Sequence, residues 1–134
     1  MDIHLSEEIS QDFYKEVKHI PADGEFLKLS AFVHHQWTNR LMHSMNVSYL
    51  SWKMAKKFGW DEGAAARAEL LHDFCLFDFS QKPPTGETVA FYHPKEAAKN
   101  SVRVFQISEK ERDAILSHMF PSLSSILFWG IAVL

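Results

Sequence analysis

A chain of 134 residues with 46% hydrophobic content holds enough apolar side chain for one domain with its own core. A formal net charge of −3, with no long run of Lys or Arg, excludes the basic footprint of a nucleic-acid binder. One cysteine, Cys75, excludes an intramolecular disulfide and suits a reducing, cytoplasmic setting. The charged, amphipathic N-terminus has no signal-peptide core, and the apolar run from Ile126 to Leu134 is far too short to span a bilayer, so no membrane partner is expected.

Taken in order, Ser6 to Ile20 reads as a first helix, with Phe13, Val17 and Ile20 at helical spacing and Pro21 as a stop. Pro21 to Glu25 reads as a turn and Phe26 to Val33 as a short helix. Thr38 is the expected N-cap of a long helix reaching Phe58, ended by Gly59. Leu41, Met45, Tyr49, Trp52 and Ala55 form its core stripe. His43 lies near its start, with Arg40 and Asn46 one turn to either side, so three polar groups share a face that solvent could equally claim.

Asp61 is the expected cap of the next helix, which is small-faced at Ala64, Ala65 and Ala68, then apolar at Leu70 and Leu71, and ends at His72-Asp73. Gln81 to Thr88, with Pro83, Pro84 and Gly86, reads as a loop. His93-Pro94 is expected to open another helix with His93 at its cap, because proline fits the first helical position. Ser108 and Glu111 form a capping-box signature for a last helix that delivers His118 near its end before Pro121. No alternating strand pattern of useful length and no internal repeat is present, so the fold class expected is all-α.

The informative stretch is Leu70-Leu71-His72-Asp73. Imidazole and carboxylate are both ligands for transition metals. Neighbouring residues on a helix point about 100° apart, so one metal takes both only near a helix end. A capping aspartate beside a half-buried histidine is the plain structural alternative. His43, His72, Asp73, His93 and His118 all fall near helix termini, and side chains at the ends of several helices can converge on one point between them.

The stretches HHQWTNRLMHSMNVSYLSWKMAKKFG, AAARAELLHDFCLFDF, FYHPKEAAKN and ILSHMFP, from His34 to Pro121, resemble the HD-domain proteins of the metal-dependent phosphohydrolase superfamily, most of all a bacterial group of uncertain substrate. The resemblance implies one HD-like helical bundle over residues 1–134, with His43, His72 and Asp73 as metal ligands. His93 and His118 would complete a second metal position, with Asp73 bridging. It implies one or two divalent transition-metal ions (iron, manganese, cobalt, nickel or zinc) and a phosphorylated small-molecule substrate, in the nucleotide class among others.

The family pattern also calls for a final aspartate on the following helix. No Asp or Glu follows Asp113, and residues 122–134, SLSSILFWGIAVL, depart from the family's next helix as a truncation or an altered reading frame would make them. A weak enzyme is therefore expected, or a ligand- or partner-binding module without turnover. The apolar tail is expected to pack over the core or to join two copies of the chain. Among the remaining polar residues, Arg40 can bind a phosphate oxygen or be a surface arginine, and Asp78 can orient water or a ligand histidine or simply cap its loop. His35 can line a pocket. His4 reads as a mobile terminal residue, His19, His34 and, on balance, His35 as structural, and Cys75 as a packed thiol.

Overall fold

The structure, a computed structural model, describes residues 7–35 and 38–117. Among these the chain is predominantly helical, as the all-α expectation requires: α1 (Glu7–Val17), α2 (Gly24–Leu27), a 3-10 turn (Lys28–Ala31), α3 (Arg40–Phe58), α4 (Glu62–Leu71), α5 (Val89–Phe105) and α6 (Glu109–Ser117). No helix among the described residues is long and apolar enough to cross a membrane.

The centre of the fold is α4. Gly63, Ala64, Ala65, Ala66, Ala68, Leu70 and Leu71 are all buried in it. Small side chains let α3 approach closely enough for Ser48 Oγ to donate to the Ala66 carbonyl at 2.6 Å. α1 and α6 cover other sides of the same helix. Phe13 docks α1 on α3, its ring edge-on to Tyr49 and Trp52 at centroid distances of 5.2 and 5.9 Å. Burying a phenylalanine side chain contributes about 1.5–3 kcal/mol.

The caps explain where the elements stop. Asp61 accepts from the Ala64 N–H at 3.0 Å and starts α4. Gly59, at φ 74°, ends α3 in the left-handed conformation that a side chain would strain. Ser108 and Glu111 cap each other's backbone, Glu111 N–H donating to Ser108 Oγ at 3.1 Å and Ser108 N–H to Glu111 Oε1 at 3.4 Å.

Three expectations need correction. Asn39, not Thr38, caps α3, its side chain accepting from Met42 N–H at 2.9 Å. Thr38 is instead held in β2 (Thr38–Asn39), which pairs antiparallel with β1 (Val33–His35). This ribbon replaces the C-terminal end of the helix expected over Phe26 to Val33, and strands of three and two residues are too short to leave an alternating pattern. Finally, α5 begins at Val89, so His93 is not a cap and Pro94 lies inside the helix. Proline there removes the N–H that would bond the Ala90 carbonyl, and Ala90 is on the exposed first turn. The cost falls where water can replace the lost bond.

Candidate metal centre

At the C-terminal end of α4 the chain leaves the helix at His72, whose φ and ψ are still helical at −61° and −28°. The next residues turn tightly, with Phe74 N–H on the Leu71 carbonyl and Cys75 N–H on the Asp73 carbonyl. Asn100 of α5 holds this turn by donating from Nδ2 to the Phe74 carbonyl at 3.0 Å. The result sets the Asp73 carboxylate beside His72 rather than a third of a turn away.

Histidines from three helices meet that carboxylate. His72 Nε2 lies 3.1 Å and His43 Nε2 3.9 Å from Asp73 Oδ2. His93 Nε2 lies 3.4 Å from the other oxygen, Oδ1. His43, His72 and Asp73 each present one donor atom within 4.8 Å of the others, a span that a single ion can bridge. His72, Asp73 and His93 are only 5%, 6% and 5% exposed, whereas the His43 side chain is 28% exposed. Access to the cluster is therefore from the α3 side.

The rings are oriented from behind. His93 Nδ1 donates to the Val89 carbonyl one turn earlier, at 2.8 Å, and His72 Nδ1 does the same to the Glu69 carbonyl. With the proton on Nδ1, each ring turns Nε2 toward Asp73, the arrangement by which ligand histidines are commonly fixed. Burial disfavours the His72 cation, but the charge and hydrogen bond of Asp73, with help from Glu69, outweigh it and carry the pKa up to about 9. Burial pushes the His93 pKa down. Without a metal, the cluster thus meets Asp73's charge with a proton on His72 and keeps His93 neutral. Three imidazoles and a carboxylate are a donor set that suits iron, manganese, cobalt, nickel or zinc.

Arg40 and Asp78 stand differently from the rest. Arg40 is not a surface arginine: it is 4% exposed, and its Nη1 donates to the Cys75 and Phe77 carbonyls at 2.6 and 2.8 Å. Burial lowers its pKa, opposed chiefly by the nearby charge of Asp73. Asp78 is exposed, and its Oδ1 accepts from Ser80 N–H at 2.9 Å and Ser80 Oγ at 2.7 Å. These bonds hold its carboxyl below the usual range. It caps its loop, as one of the two expectations had it, and is not among the groups gathered at Asp73. Burial pushes the Cys75 thiol up to about 12, which fits a packed cysteine. The exposed His19 lies edge-on to Phe105 at 6.1 Å, a packing role. His34 and His35 fall in β1. His4, His118 and the segment 122–134 lie outside the described residues.

The sequence reading passed over Glu69. It is buried, and its Oε2 lies 3.8 Å from His72 Nδ1. The signal was a charged residue three positions before His72 on a helix otherwise lined with Ala and Leu. Phe79 was also missed as a site neighbour; its ring packs on His93 at 4.9 Å. No protein-family model, no curated protein and no solved structure matches this chain.

Proposed function

We propose that this chain is an HD-like metal-dependent phosphohydrolase acting on a phosphorylated small molecule, with His43, His72, Asp73 and His93 as metal ligands. One observation carries the reading. The two oxygens of Asp73 face different histidines, Oδ2 toward His43 and His72 and Oδ1 toward His93. That is the placement a bridging carboxylate needs, and a helix cap does not need it. Nε2 donors held from behind and a route of access past His43 support the same reading.

A bound divalent ion would supply Lewis acidity toward phosphate oxygens and a water acidified enough to attack. The chain's own part is to hold the donors. Neutral imidazoles add no negative charge, so the site remains attractive to an anion. Asp73 keeps its orientation through the turn that Asn100 pins. His43, the most exposed of the four, would border the substrate.

A second reading has its own support: Asp78, the carboxylate expected to assist the centre, is engaged by Ser80 and caps its own loop. On that reading the chain binds a ligand or partner without turnover. Elemental analysis of protein purified without added metal, followed by a phosphate-release screen over phosphorylated small molecules, separates the two. Stoichiometric metal with phosphate release supports the enzyme. Metal without release over the whole screen supports the binding module. Protein free of metal that takes none up on titration ends the enzyme reading and leaves the binding module, which need hold no metal.

A further inference from the structure

His43 and Asp73 come from elements that are far apart in sequence, and a single side chain joins them. Arg40 lies one helical turn before His43. Its Nη1 donates to the carbonyls of Cys75 and Phe77, in the segment directly after Asp73, at 2.6 and 2.8 Å. Its guanidinium carbon lies 3.7 Å from the centre of the Phe79 ring and 4.4 Å from that of Phe32. Phe79 in turn packs on the His93 ring at 4.9 Å. The backbone N–H of Arg40 donates to the Phe32 carbonyl at 2.8 Å, which ties the start of α3 to the same point.

We propose that Arg40 is a positioning residue: it sets the separation of His43, Asp73 and His93 before any ligand arrives. The proposal rests on the metal reading above and refines it, because it gives Arg40 a task other than holding phosphate. The chemistry requires arginine. A planar guanidinium can donate to two carbonyls at its edge while its face meets an aromatic ring. A lysine ammonium is a point charge on a flexible stem; it can reach a carbonyl but cannot present a flat face to Phe79. Three parts of the centre meet on this one group: the first turn of α3, the loop after Asp73 and, through Phe79, the His93 turn of α5.

The test uses the full chain and four variants: Arg40→Met, Arg40→Lys, Phe79→Leu and, as a control for lost stability alone, Arg67→Met. Each is titrated calorimetrically with zinc chloride, and imidazole NMR spectra are recorded on the metal-free proteins. Removing a group that orients metal ligands typically costs about 10- to 100-fold in affinity. Arg40→Met and Phe79→Leu are expected to lose at least about 10-fold, within that range, and to move the imidazole resonances of His43 or His93. Arg40→Lys should recover only part of the loss, and Arg67→Met should bind zinc as the parent does. Parent-like affinity and unchanged imidazole resonances in Arg40→Met overturn the proposal, and weakened inhibition by inorganic phosphate alongside them would return Arg40 to a phosphate-binding role. If Arg40→Met does not fold, Phe79→Leu decides by the same two readouts. If the parent binds no zinc, the metal reading fails, and the metal-free imidazole spectra still decide whether Arg40 places the rings.

Discussion

Two charged clusters lie along α4, and they balance their charge in different ways. In the first, the Arg67 guanidinium donates from Nη1 to Glu16 and from Nε to Glu111, at 3.1 and 3.0 Å. Glu111 also accepts from Ser108 Oγ at 2.9 Å. Gly63 makes room for this network, since a Cβ there would stand 2.7 Å from Glu16 Oε2. A permanent cation is built in. In the second cluster, at the end of the same helix, Glu69 and Asp73 are surrounded by imidazoles, and Arg40 directs Nη1 to backbone carbonyls. There the balancing charge is shared between the buried Arg40, which feels the charge of Asp73, and a proton on His72. An ion pair with a resident cation serves the fold; a cluster balanced in part by a titrating histidine can exchange that proton for a metal ion.

The largest expected effect is at the second cluster. Asp73→Ala should abolish specific metal binding, a loss of at least about 100-fold, since even an outer partner costs about 10- to 100-fold. Circular dichroism should show the domain still folded. A variant that binds metal as tightly as the parent would make Asp73 a cap and erase the contrast between the clusters.

Arg67→Met should do the opposite. It leaves Glu111 buried without its cation and should cost roughly 1–3 kcal/mol of stability in denaturant unfolding, while metal affinity stays within about twofold. An equal loss of metal affinity would mean that the clusters are coupled through α4. Glu69→Gln should produce a smaller change, about tenfold in metal affinity, because the backbone bond from His72 Nδ1 survives it. No change at all would confine Glu69 to balancing charge in the metal-free protein.

The smallest effect is in pH dependence. The folded pKa of His72 is raised from 6.5 to about 9, so its contribution to metal-free stability is full below pH 6.5 and is lost as the pH rises toward 9. The folded pKa of His93 is lowered, so its contribution is present above pH 6.5 and is lost as the pH falls through the folded value. Metal-free protein should therefore be most stable near neutrality in thermal melts. Asp73→Ala should flatten the alkaline side. An alkaline limb that persists unchanged in that variant would assign it to another group.

Much of this was legible in the residues, because caps and helix ends are local chemistry. Asp61, Gly59 and the Ser108–Glu111 pair marked their boundaries, and the His72-Asp73 terminus of α4 was readable from the apolar run before it. What escaped depends on contacts distant in sequence. Pro94 pointed to a helix start five residues too late, since nothing local says that its lost bond lies on an exposed turn. Thr38 was drawn into a ribbon by pairing with β1. Arg40 could be weighed only as surface or phosphate ligand, because its true partners, the Cys75 and Phe77 carbonyls, are 35 and 37 residues away. Glu69 was hidden by its neighbours: a single charge on a buried helix carries no motif until the His72 ring is seen behind it.

The central claim is that His43, His72, Asp73 and His93 form a metal centre. Its most direct test is anomalous X-ray diffraction from crystals of the full chain, purified without added metal and then equilibrated with zinc. The account predicts an anomalous peak at coordination distance, about 2.0–2.2 Å, from His72 Nε2, His43 Nε2 and an Asp73 oxygen. A second peak toward His93 would identify Asp73 as a bridge. Full data with no peak at Asp73, or with zinc held only at surface histidines, would contradict it.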